Sequence, residues 1–276
     1  MATINNQELT DYYANAIGAS IHYETLPFKG FTLGLNGIFV YKTFSNNLLK
    51  VDSIAQQKSH YELQLFDVEH PGNYNDLDRL EELYIKYQYH DFNIMYGKME
   101  LESPLVQLHD GRMKPKVFSG VKTELAHHNH NFTAAWFNKA SPRSTTHWFE
   151  IQDAIGLYNN GVNPSGDKSN YYGRLASKGL GIVGYHTDLK PTLLLDFWNY
   201  FLENISNSTT AKLQLNREIG LYGGFSYLYQ RPLNTGGSTA RATTFHGPDE
   251  QTNLISTRIG YNFKPFQAHI NATHIF

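Results

Sequence analysis

Cysteine is absent from this 276-residue chain. An oxidising compartment would therefore bring it neither a disulfide nor a stray thiol. Charge is sparse as well. Charged residues make up 17% of the chain, against about 25% in an ordinary soluble domain. The net charge of -2 provides no basic stripe for nucleic acid. No apolar run approaches the ~18 residues of a membrane helix, and stretches such as Leu193 to Leu195 are far too short. The first ten residues, Met1 to Thr10, have no basic start and no apolar core of a leader peptide. No Gly-rich phosphate loop is present, and no Ser/His/Asp constellation has local motif support.

Aromatic residues fill part of the gap: they make up 14% of the chain, with 19 Tyr and 17 Phe. The remainder is rich in Asn, Thr, Ser, Gly, Gln and His. A strand with lipid on one face and water on the other needs such a mixture, because its apolarity is spread thin. The arrangement follows a period of two, which puts alternate side chains on opposite faces of a strand. Ile17, Ala19, Ile21 and Tyr23 alternate with Gly18, Ser20, His22 and Glu24. Leu83, Ile85, Tyr87 and Tyr89 alternate with Glu82, Tyr84, Lys86 and Gln88. The same rhythm runs through Phe132–Ala134–Trp136, Leu193–Leu195–Phe197, Ala211–Leu213–Leu215, Leu221–Phe225–Tyr227–Tyr229 and Ile255–Ile259–Tyr261–Phe263. About twelve strands of roughly ten residues are expected, long enough to cross a bilayer when tilted. The fold expected is all-β, an antiparallel transmembrane β-barrel occupying residues 1–276 as one domain.

Connections alternate in length. Short turns are expected near 26–30, 90–91, 128–130, 187–190, 217–218 and 264–265, with long loops at 44–78, 102–116, 139–174 and 232–252. Outer-membrane barrels have short periplasmic turns and long external loops. On that rule the first strand runs inward and the last runs outward. A complete barrel begins and ends in the periplasm, so the chain reads as an interior part of a larger barrel. That reading also accounts for the missing leader.

Several stretches resemble the OprD family of outer-membrane porins, in particular Bacteroidetes-type members. They are Tyr96-Gly97-Lys98, Ser103-Pro104 and the run from Asp110 to Val121, with Gly97, Pro104, Asp110, Arg112, Pro115, Phe118 and Gly120 as the matching elements. Arg79 to Tyr84, Asp11 to Ala16 and Tyr158 to Val162 are similar too. Lys114 and Lys116 depart from the family pattern. The resemblance implies an eighteen-stranded barrel, of which about twelve strands are present. It also implies an inward-folded constriction loop at 102–116 and passive, partly selective diffusion of small polar or charged solutes (amino acids, small carboxylates, peptides or sugars).

The expected selectivity residues on that loop are His109, Asp110, Arg112 and Lys114. Arg and Lys attract carboxylates, and Arg does so bidentately. A Lys or Arg facing lipid costs about 2–4 kcal/mol at the midplane. The charges on the polar faces of strands are therefore expected to line the lumen: Glu82, Lys86, Lys122, Glu124, Asp196, Lys212 and Arg258. His127, His128 and His130 crowd one turn, but turns favour polar residues and no second ligand cluster accompanies them. No metal, cofactor, catalytic group or nucleic-acid partner is expected. The partners are small solutes, outer-membrane lipid and lipopolysaccharide, with the chain a monomer or part of a trimer. Two alternatives are a secreted soluble β-domain that binds carbohydrate through Trp136, Trp148 and Trp198, and, less favoured, a barrel enzyme.

Overall fold

The computed structural model describes residues 3–4, 7–59, 61–70, 77–108, 113–157, 162–163 and 166–276. Twelve long antiparallel strands dominate it: β1 (Ala14–Glu24), β2 (Phe31–Ser45), β3 (Arg79–Tyr89), β4 (Phe92–Met99), β5 (Val117–His127), β6 (His130–Ser141), β7 (Leu180–Lys190), β8 (Leu193–Leu202), β9 (Ser206–Leu215), β10 (Gly220–Pro232), β11 (Thr252–Phe263) and β12 (Phe266–Ile275). Each is hydrogen-bonded to its neighbours in sequence, and a two-residue strand at Phe149–Glu150 adds to β6. β1 and β12 have one neighbour each. The α-helical content among the described residues is one turn, Ile151–Ala154, and no helix is long and apolar enough to cross a membrane.

Contacts divide the chain into two compact units. The first comprises residues 1–85, 97–119 and 140–148; the second comprises 86–96, 120–139 and 149–276. In the first unit, Ile17 pairs with Tyr41, Ala19 with Phe39 and Tyr23 with Leu35. Ile17, Ile21, Tyr23, Phe39 and Tyr41 are all exposed. The alternate positions pair His22 with Asn36 and Gly18 with Val40, and there Val40 is 2% exposed. In the second unit, Leu195, Leu213 and Phe225 form one cross-strand row, and Leu215, Gly223, Ile259 and Ile270 form another.

Exposed strands carrying Ile, Leu and Phe violate the usual limit on apolar surface for a soluble monomer. Hydrocarbon is the solvent in which such a face is stable, because the backbone N–H and C=O groups between neighbouring strands are already paired. On β10, Tyr229 lies eight positions beyond Leu221. They span about 26 Å of strand, or roughly 20 Å of height at a 35–45° tilt, close to the apolar band of an outer-membrane barrel.

On the polar face, aromatic rings lie over cross-strand glycines. A Cβ on Gly34 would sit 2.1 Å from Tyr84 Cζ, and one on Gly184 would sit 2.4 Å from Trp198 Cζ3. On Gly260 it would meet Tyr222 at 2.5 Å. The missing side chain is the seat on which each ring rests, a covering of bare glycine backbone known from sheets generally.

Candidate functional site: a polar wall and a buried knot of charge

The second unit carries a continuous polar row. In register, Asn131, His186, Asp196, Lys212, Ser226, Ser256 and Thr273 stand side by side across β6 to β12. His186 Nδ1 lies 2.7 Å from Asp196 Oδ1. Lys212 stands next to Asp196 on the following strand yet makes no ion pair among the described residues. On the adjacent row, Arg258 Nε donates to Asn271 Oδ1 at 2.8 Å. Lys212 and Arg258 line one concavity of about 970 Å³ with Gln214, Ser226, Ser256 and Asn271. Two cations over a floor of hydroxyls and amides can attract and briefly hold a small anion, because the water-filled side leaves them hydrated and free to exchange.

Other predicted wall charges are paired. Lys122 Nζ lies 3.2 Å from Glu124 Oε1 in the second unit. In the first unit Glu82 is 3.7 Å from His22 Nδ1 and accepts from Asn36 Nδ2 at 3.4 Å. Lys86 sits on the same strand face as Glu82, half-buried, and is not free of partners.

His109, Asp110 and Arg112 lie outside the described residues. Lys114 is described, and it does not face solvent. It is 1% exposed, and its ammonium donates to Leu77 O at 3.1 Å and Thr145 O at 3.0 Å. Beside it Arg79 and Glu81 form a bidentate pair, Nε to Oε2 and Nη2 to Oε1, both at 2.7 Å. Arg79 also donates to Ser141 Oγ, Pro142 O and Pro115 O. This knot ties β3 to the segments before β5 and after β6. Arg79 takes up the Glu81 carboxylate, and the buried Lys114 ammonium is held by carbonyl oxygens. Burial, and then the Arg79 charge, pull its pKa from 10.5 down to about 7.

The direction of that shift gives a stability prediction. Between about pH 7 and the unfolded pKa of 10.5 the unfolded chain binds the Lys114 proton and the folded chain does not. Stability should therefore rise with pH across that window, by up to about 1.4 kcal/mol per pH unit, with the full penalty present below it. Denaturant midpoints of the wild type and Lys114→Met in detergent, followed from pH 6 to 10, check this. The variant should lose the slope.

Sequence reasoning missed the Arg79–Glu81 pair, as well as the serines and His186 of the polar row. Among the Trp candidates, Trp136 is 39% exposed on the apolar face, Trp148 lies under Lys98 at 4.6 Å, and Trp198 rests on Gly184. Of the clustered histidines, His127 pairs with Asp91 and His130 with Tyr185, each at 2.9 Å.

A sheet of bilayer-length antiparallel strands, apolar on one face and polar on the other, defines the fold of an outer-membrane porin. Solved structures that share this fold include porins of the OprD/Occ type. A BenF-like porin from Pseudomonas fluorescens Pf-5 matches 99% of this chain with a TM-score of 0.70 at 13% identity. Acinetobacter baumannii OccAB3 matches 95% with a TM-score of 0.70 at 12% identity. Pseudomonas aeruginosa OpdK, solved with vanillate, matches 94% with a TM-score of 0.64 at 15% identity. The chain spans 63%, 60% and 61% of the lengths of these three. No family profile matches the sequence, and no curated protein matches it.

Proposed function

We propose that this chain supplies wall strands of a bacterial outer-membrane channel through which small polar or charged solutes, small carboxylates among them, diffuse passively. The observation that carries the reading is the division of each strand into an exposed apolar face and a polar face. On the polar face Lys212 and Arg258 share a concavity. A secreted soluble β-domain would leave Ile17, Ile21, Ile259 and Ile270 in water. The OpdK and OccK2 structures hold vanillate and glucuronate, both small carboxylates, which agrees with a cation-lined wall.

The test is electrical. The full-length barrel that contains these strands, refolded in detergent and added to a planar bilayer, should conduct. Lys212→Gln with Arg258→Gln should lower the anion-to-cation permeability ratio severalfold. A well-folded protein that leaves the bilayer insulating would overturn the channel. Conduction with unchanged selectivity would remove these two residues from the site.

A further inference from the structure

Two imidazoles of the first unit have no part in the polar wall. We propose that His70 and His147 form an open binding site for a divalent first-row metal ion of the kind that prefers imidazole, such as Cu²⁺, Ni²⁺ or Zn²⁺. They belong to the long connections β2–β3 and β6–β7. His70 Nδ1 lies 2.9 Å from Asp67 Oδ2, and His147 Nδ1 lies 2.9 Å from Glu69 Oε2. A carboxylate that accepts the Nδ1 proton leaves the lone pair on Nε2 and fixes the ring. Metal-binding histidines almost always carry this support, and here both have it. The two carboxylates also offset the charge of a dication.

The ring centroids are 5.7 Å apart. That separation is within what two imidazoles span when both bind one metal ion ~2.1 Å from each coordinating nitrogen. The scaffold is braced. Val68 N donates to Ser144 O at 3.0 Å, Thr146 Oγ1 to Asp67 Oδ2 at 3.3 Å, and Ser144 Oγ to Gln64 O at 2.5 Å. Asp67 is 3% exposed at its side chain, whereas His70 and His147 are 57% and 58% exposed, so the Asp67 support is held in place and the ligands are reachable. No three His, Asp or Glu among the described residues cage an ion unaided. Water completes the coordination, and Cu²⁺ should bind most tightly.

The proposal is independent of the channel reading. Cu²⁺ alone is titrated into the full chain in detergent at mildly alkaline pH, with calorimetry for affinity and electron paramagnetic resonance to count nitrogen ligands. One tight equivalent with two nitrogens is expected. His70→Ala and His147→Ala should each weaken it at least tenfold. Asp67→Asn or Glu69→Gln should weaken it 10- to 100-fold while both imidazoles remain. A His70→Ala/His147→Ala protein that binds like the wild type, or a spectrum with one nitrogen, overturns the site.

Discussion

Arg79→Met should be among the most damaging single substitutions in the chain, lowering stability by about 3–5 kcal/mol. Arg79 and Glu81 are 4% and 1% exposed. Removing the guanidinium leaves a buried carboxylate without its bidentate partner, and Ser141 Oγ, Pro142 O and Pro115 O lose this donor. The reciprocal loss of charge eases Lys114 somewhat but does not satisfy those acceptors. Denaturant unfolding in detergent measures the cost. The double variant Arg79→Met/Glu81→Met should recover much of it, since a buried pair replaced by apolar side chains of similar volume is often close to neutral. A single-variant cost below about 1 kcal/mol would show that the pair is hydrated and the knot loose.

Gly97→Ala should have a comparable effect for a different reason. Gly97 has φ = 129°, and its missing Cβ would fall 2.2 Å from Leu83 O and 2.9 Å from Tyr84 Cα. Both obstacles are backbone and cannot swing aside. Backbone strain and overpacking, each about 1–3 kcal/mol, then add. The β3–β4 hairpin should fail to close, and the yield of heat-modifiable folded protein on refolding should fall sharply. Gly37→Ala is the control. Its Cβ would meet only Phe39 ring atoms at 3.5 Å, so its yield should match the wild type.

The period of two was enough to find the strands. Leu193–Leu195–Phe197 and Ile255–Ile259–Tyr261 mark their faces without help from tertiary structure, because lipid and water impose the alternation directly. Turn positions were less legible. The expected turn at 187–190 is strand, and the chain reverses at Pro191–Thr192. β3 shows where alternation fails. Leu80, Leu83 and Ile85 are exposed, so the pattern slips by one between Leu80 and Leu83, and Glu81 and Glu82 both leave the exposed face. A strict period would have put Glu81 with Leu83. The slip is set by what the connections pack against, and only Arg79 together with Ser141, Pro142 and Pro115, some 36 to 63 residues away in sequence, defines it. Lys114 was unreadable for the same reason: a lysine on a loop is normally solvated, and nothing near it in sequence announces the carbonyls of Leu77 and Thr145.

The rings that rest on glycine have a consequence for how this wall could change over time. The thickness of the wall at Tyr84, Trp198 or Tyr222 is a property of two positions on neighbouring strands, and the glycine of each pair cannot vary alone. A side chain gained at Gly34, Gly184 or Gly260 requires the facing ring to shrink first. Losing the ring, by contrast, exposes a flat patch of backbone and leaves strand register untouched. Removing the ring is thus a one-step change, whereas placing a side chain on the glycine takes two, so drift at these places runs more easily toward a thinner wall.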